Sequence, residues 1–209
     1  MNSAALREIQ MAEKVVYSGY PKIDIVYDAV TQPFFWHIVK EALDDLNAID
    51  VGKDLLDGIY DANPTYRGRD EKGFERGAHV AIFPPYEILT VIKRKFSHFK
   101  KNKGSDDLWQ GCSIAHSSVD WKTAENGEGS VSRVYFTNSR FRLKSGLVNP
   151  AHVALGHELI HALHGLLGIK KNTTDEEENF TVGLGAYKNE PITENAIRKQ
   201  SGLALRESY

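Results

Sequence analysis

Apolar residues recur along this chain at two different periods. Ile23, Ile25 and Tyr27 fall on alternate positions beside charged residues, which predicts a strand. Phe34, Phe35, Ile38, Val39, Ala42, Leu43 and Leu46 recur at helical spacing, and Pro33 suits the first turn of that helix. Ala78 to Phe83 reads as a strand stopped by Pro84-Pro85. Residues 111–119 and 131–137 are further strands, with a hairpin-like turn marked by Asn126-Gly127 and Gly129 between them. The stretch 61–77, rich in Gly, Asp, Asn and Arg, reads as a loop. Asn149-Pro150 marks the start of the longest helix. Asn is suited to accept from the first free amides, and Pro to occupy the next position. Gly165 and Gly168 are the places for that helix to end. Residues 1–20 read as a short helix ending near Gly19 or as a flexible segment, leaving 21–209 as one domain. A helix, several strands and then a long helix predict an α+β domain.

Composition narrows the classes. A chain of 209 residues buries one ordinary core, and 41% hydrophobic with 26% charged residues excludes a disordered chain. A net charge of −2 gives no global pull toward nucleic acid or anionic membrane. No stretch reaches the roughly eighteen apolar residues of a membrane span, and the first twenty residues show no cleavable signal. The single cysteine, Cys112, excludes an internal disulfide and a cysteine-based zinc site, which points to a cytosol.

The chemistry lies in the long helix. His157 and His161 are four residues apart, so their imidazoles share one face a turn apart. Two neutral imidazoles so placed can share one zinc ion, and Glu158 beside the first can take a proton from water that the ion has acidified. That water attacks a polarised peptide carbonyl, with Glu158 as general base and no covalent intermediate. His164 shares the face, but His157 and His164 are separated by roughly 10 Å of helical rise, which argues against three imidazoles on one ion. It reads as a supporting, substrate-facing or exposed residue.

A hydrolytic site needs a third protein ligand. Asp175 and Glu176 fit a solvated helix start, whereas Glu177 and Glu178 run directly into Phe180, Val182 and Leu184. The preference falls on Glu177, because Thr181 shares its face and can hydrogen-bond a metal-bound histidine; Glu178 is the alternative. Tyr187, after Gly183-Leu184-Gly185, is a candidate donor to the oxyanion. The run Lys93-Arg94-Lys95-Phe96-Ser97-His98-Phe99-Lys100-Lys101-Asn102-Lys103 reads as a solvated basic face, able to steer an acidic partner.

The blocks Gly156-His157-Glu158-Leu159-Ile160-His161-Ala162, Glu177-Glu178-Asn179-Phe180-Thr181-Val182-Gly183-Leu184 and Ile192-Thr193-Glu194-Asn195-Ala196-Ile197-Arg198, with Gly202-Leu203, resemble those of the NleD-like effector metallopeptidases. The resemblance covers roughly residues 150–205. It implies a zinc endopeptidase that bacteria inject by type III secretion into the host cytoplasm. Its expected substrates are stress-activated MAP kinases of the JNK and p38 type, cut near the activation loop. His157 and His161 carry over as ligands, Glu158 as base, and the Glu177-Glu178 pair as the source of the third ligand. The Glu194-Asn195-Arg198 block carries over without a role; read physically, it can pin the end of the chain against the active-site helix. The expected architecture is a compact zincin-like domain with a small twisted sheet, one zinc ion per chain, and a monomer without nucleic-acid or membrane partners. Residues 131–137 are the candidate edge strand for an extended substrate. The rival readings are a zinc peptidase with a bacterial or self target, and a host-binding effector without activity.

Overall fold

The computed structural model describes residues 12–65, 78–84, 116–117, 125–136, 141–143 and 146–209. The basic run 93–103 lies outside these residues, as do 66–77 of the expected loop and most of the strand expected over 111–119. A five-stranded mixed sheet contains β1 (Ala12–Val16), β2 (Ile23–Asp28), β3 (Val80–Phe83), β4 (His116–Ser117) and β5 (Ser132–Tyr135), in the order β1-β2-β3-β5-β4. β2, β3 and β5 run parallel, and β1 and β4 add antiparallel at the two edges. Two helices, α1 (Phe35–Asn47) and α2 (Asp50–Asp61), connect β2 toward β3. The pair β6 (Phe141–Arg142) and β7 (Val148–Asn149) then leads into α3 (Ala151–Leu167). The chain continues through α4 (Thr174–Val182), a 3-10 turn at Gly185–Tyr187 and α5 (Glu194–Gln200).

Side-chain alternation assigns the two faces of the sheet. Ile23, Ile25, Tyr27, Val80, Ile82 and Val134 turn toward the helices and join the main core; Val26, Ala81, Phe83 and Tyr135 form a small cluster on the opposite face. All of β3 is buried, as expected of a parallel strand with neighbours on both sides. α3 packs against α1, α2, α5 and β5, and every residue from Val153 to Leu166 is buried. A helix buried on all sides must satisfy its polar groups within the protein, and this one buries three histidines and a glutamate. Among the described residues no helix is long and apolar enough to cross a membrane.

Four details depart from the sequence reading. Residues 12–16 form a strand rather than part of a helix, paired residue for residue with β2. Helix α2 is absent from that reading, although Val51, Leu55, Leu56 and Ile59 are spaced for one; Gly52 and Gly58 weaken the local signal. Packing requires a glycine at position 52, where an added Cβ would lie 2.0 Å from the Leu46 carbonyl oxygen. Asn149 does not cap α3: Pro150 is the N-cap residue, and Asn149 Oδ1 accepts from Arg198 Nη2 at 2.8 Å. Finally, β5 is no edge strand, because β4 pairs beside it at Ser132 and Arg133.

The turn before β5 docks on the end of α3. Gly127 N–H donates to the Gly168 carbonyl and Ser130 N–H to the Gly165 carbonyl, both at 2.9 Å, which occupies carbonyls a helix end leaves free. Gly129 sits at φ +72°, where a Cβ would come 2.0 Å from the Leu166 carbonyl oxygen. Gly129→Ala is therefore expected to lower stability by about 1–3 kcal/mol through left-handed strain alone. Urea unfolding measures this, and an unchanged midpoint would contradict the docked turn.

Candidate metal centre

The i, i+4 spacing in α3 places the His157 and His161 rings 4.8 Å apart, edge to face at 82°. Their Nε2 atoms approach to 3.2 Å. What fixes this orientation is the opposite nitrogen of each ring. His157 Nδ1 lies 2.9 Å from Glu194 Oε2, on α5. His161 Nδ1 lies 2.9 Å from Glu177 Oε1, on α4, and 3.0 Å from Thr181 Oγ1 one turn later. A carboxylate only accepts, so each Nδ1 carries a proton, and in its neutral form each ring would turn a lone pair inward at Nε2.

Glu178 completes the cluster. Its Oε2 lies 3.2 Å from His157 Nε2 and 3.4 Å from His161 Nε2. That oxygen is buried and makes no hydrogen bond among the described residues. Glu177 faces the other way. Its Oε1 accepts from both His161 Nδ1 and His164 Nδ1, and its Oε2 accepts from the Lys171 N–H at 2.8 Å. Adjacent residues of one helix diverge by about a quarter-turn, and so the two glutamates serve opposite edges of the same imidazole. His164 is buried, lies parallel to Phe180 at 3.9 Å, and takes the supporting position among the options read from sequence.

The electrostatics ask for positive charge between the rings. Burial favours neutral His157, but the carboxylates of Glu178 and Glu194 outweigh it and push the ring up to about 10. His161 is likewise raised against its burial, by Glu177 and Glu178. Burial also opposes the charges of Glu177 and Glu194, yet their histidine partners hold both carboxyls at about 2. Glu178 is held low in the same way, by His157 and His161. Burial raises Glu158 to about 7, the range in which a carboxyl both takes and returns a proton.

A divalent cation fits these residues. A single proton can be shared by two of the three inward-facing atoms, which leaves the third as an unpaired buried acceptor; one ion accepts all three lone pairs. The charge agrees. Four carboxylates, those of Glu158, Glu177, Glu178 and Glu194, crowd this centre, while the guanidiniums of Arg198 and Arg206 both pair with Glu194 alone. The donor set of two imidazoles and a carboxylate is one that zinc accepts. A second group, His161, His164 and Glu177, also converges, but there the histidines present Nδ1 and already donate to the carboxylate.

Of the two tyrosines near this centre, the one read from sequence is directed elsewhere. Tyr187 donates its hydroxyl to Glu176 Oε1 at 2.8 Å and packs on Phe180 and Lys171. Tyr209 lies parallel to the His157 ring, 6.5 Å between centroids, within the field of the Glu178 carboxylate. Burial, then the charges of Glu178 and Glu158, raise its pKa and keep it protonated, a donor. Sequence reading missed Tyr209 because nothing local marks it; Arg206 three residues before it, 5.1 Å from its ring, is the only adjacent signal.

A model of the peptidase M91 family, described as effector protein, matches residues 26–209. No curated protein matches the chain. Among solved structures, the botulinum neurotoxin type G light chain aligns at 17% identity over 92% of this chain and 60% of that one, with a TM-score of 0.51. The catalytic domain of Clostridium botulinum neurotoxin serotype F aligns at 18% identity over 80% of this chain and 46% of that one, with a TM-score of 0.48. The chain thus spans about half the length of the light chains it matches. The fold is α+β and zincin-like, a small twisted sheet over a buried helix. The family match extends well beyond the carboxy-terminal blocks visible in sequence, taking in β3 to β5 and both helices that cover α3.

The divergence of the two glutamates has a measurable consequence. Glu178→Ala is expected to abolish stoichiometric zinc binding. Glu177→Ala should retain one ion with affinity lowered about 10–100-fold, as when a residue orienting a ligand is lost. Competition with a chromophoric chelator measures both, and equal losses would contradict this geometry.

Proposed function

This chain belongs to the peptidase M91 family of effector proteins, and we propose that it is a zinc-dependent endopeptidase in which His157, His161 and Glu178 hold the ion. The reading rests on one observation: His157 Nε2, His161 Nε2 and Glu178 Oε2 converge on one point, and among the described residues no hydrogen bond satisfies that carboxylate oxygen. Glu177 takes the orienting role, and Glu178 the ligand role for which sequence favours its neighbour. Zinc bound there supplies a Lewis acid for a peptide carbonyl and brings the ionisation of water toward neutral pH.

The protein's own groups do the rest. Glu158, near pH 7 in proton affinity, takes the proton from the attacking water and returns it to the leaving amine. Glu194, Glu177 and Thr181 keep both rings in one tautomer with Nε2 inward, so no reorganisation is needed during turnover. Tyr209, protonated and at the mouth of the cluster, is placed to donate to the carbonyl oxygen as charge develops, the part sequence assigns to Tyr187.

The substrate in this reading is a host protein, and the resemblance to NleD-like effectors directs it to stress-activated MAP kinases of the JNK and p38 type. Delivery by type III secretion into the host cytoplasm belongs to the same reading; membership of an effector family supports it.

Zinc-loaded protein is expected to cut purified JNK or p38 kinase near the activation loop, with the new amino termini mapped by mass spectrometry. Glu158→Gln should keep its zinc and its fold while losing at least about a thousandfold in rate, since both proton transfers are removed. A variant that still cleaves at a comparable rate would dismiss Glu158 as the base. Intact kinases beside other cut host proteins would change the substrate and leave the peptidase standing.

A further inference from the structure

Residues 203–209 carry Tyr209 to the metal centre with little apolar burial to hold them. Ala204, Leu205, Glu207, Ser208 and Tyr209 are exposed. What fixes the segment is polar. The Leu203 N–H donates to the Arg198 carbonyl, and Arg198 Nη1 reaches the Ala204 carbonyl at 3.4 Å. Further on, the Asn195 carboxamide grips the backbone of Arg206 from both sides. Its Nδ2 donates to the Arg206 carbonyl at 2.9 Å, and its Oδ1 accepts from the Arg206 N–H at 2.8 Å. This two-bond pair copies one rung of a β-ladder, with a side chain in place of a strand. Only a carboxamide offers a donor and an acceptor side by side in that form.

The grip sets the direction of the last four residues. With the Arg206 backbone fixed, its Nη1 meets Glu194 Oε2 at 2.8 Å, the same oxygen that receives His157 Nδ1. Its guanidinium also lies 5.1 Å from the centre of the Tyr209 ring, which is itself parallel to His157. Asn195 and Glu194 are neighbours at the start of α5, so one short helix orients a histidine of the centre and holds the strap that passes over it.

We propose that Asn195 is a positioning residue: its carboxamide clamps the Arg206 backbone and so fixes residues 203–209 as a strap that delivers Tyr209 to the metal centre. Asn195 touches none of the converging groups, and its effect on turnover runs through Tyr209. The kinetic part rests on the endopeptidase reading above; the clamp itself does not.

The test uses the full chain loaded with zinc, with Asn195→Ala, Asn195→Asp, Tyr209→Phe and the double variant Asn195→Ala/Tyr209→Phe. Hydrogen exchange of amides in 203–209 should rise at least about tenfold in Asn195→Ala, because a locally held segment opens once its two bonds are gone. Asn195→Asp keeps the acceptor but turns a negative charge on the Arg206 carbonyl, and should show the same increase. Zinc stoichiometry should stay at the wild-type value in both. In cleavage, Asn195→Ala should lower kcat about tenfold with KM nearly constant, and the double variant should be no slower than Tyr209→Phe alone. Unchanged exchange in 203–209 would overturn the clamp, and multiplying kinetic effects would overturn the route through Tyr209. Should the wild type cleave nothing, the exchange result still decides the clamp, separately from the endopeptidase reading. If Asn195→Ala does not fold, Asn195→Ser carries the same readouts.

Discussion

An imidazole has two nitrogens, and a buried carboxylate behind one of them decides what the other presents. In this protein that happens twice on a single helix face: Glu194 holds Nδ1 of His157, and Glu177 holds Nδ1 of His161. In its neutral form each ring would then turn a lone pair inward, and Glu178 adds a third acceptor from α4. Three acceptors facing one point repel one another unless a cation lies between them. The placement of α4, α5 and the strap follows from the need to bring those carboxylates to α3 from outside it.

The cost of that arrangement explains the surrounding charge. Several carboxylates in the interior destabilise a fold unless each is paired or hydrogen-bonded. Glu194 receives the Nε of Arg198, Arg206 and a histidine; Arg198, almost fully buried, also reaches Asn149 and the Val148 carbonyl. The guanidinium thereby joins the entry of α3 to α5, and it takes the asparagine that would otherwise have capped the helix. Glu177 is satisfied by two histidines and the Lys171 backbone. Among the described residues, Glu178 is the member left without a hydrogen bond at its inner oxygen. In the proposed site a divalent ion would offset that charge, and its binding would then stabilise the packing of α4 and α5 on α3.

Glycine and close packing set the rest of the frame. α3 lies deep between the sheet and the two helices of the β2–β3 connection, so its neighbours approach its backbone closely. An added Cβ at Gly156 would lie 2.6 Å from Ile197 Cδ1, next to the histidine whose Nδ1 α5 must reach. The small residue before His157 lets α5 come near enough for Glu194 to bond it.

Local sequence was enough for the helix carrying His157, Glu158 and His161, for β2, β3 and α1, and for the α+β class, because periodicity and helical spacing are properties of a few consecutive residues. It also narrowed the acidic partner to Glu177 or Glu178 and marked Glu194, Asn195 and Arg198 as a block. The choice between the two glutamates was not available to it. They are adjacent, and which faces Nε2 depends on how α4 rotates against α3, a packing outcome. Tyr209 was invisible for the same reason: its place on His157 comes from a side chain in α5 gripping the backbone eleven residues later. Residues 12–16 became a strand only because β2 offered an edge with which to pair, and Asn149 turned from its helix to a buried guanidinium. Where spacing along the chain defines a contact, sequence determined it; where separate elements must meet, only their packing decided.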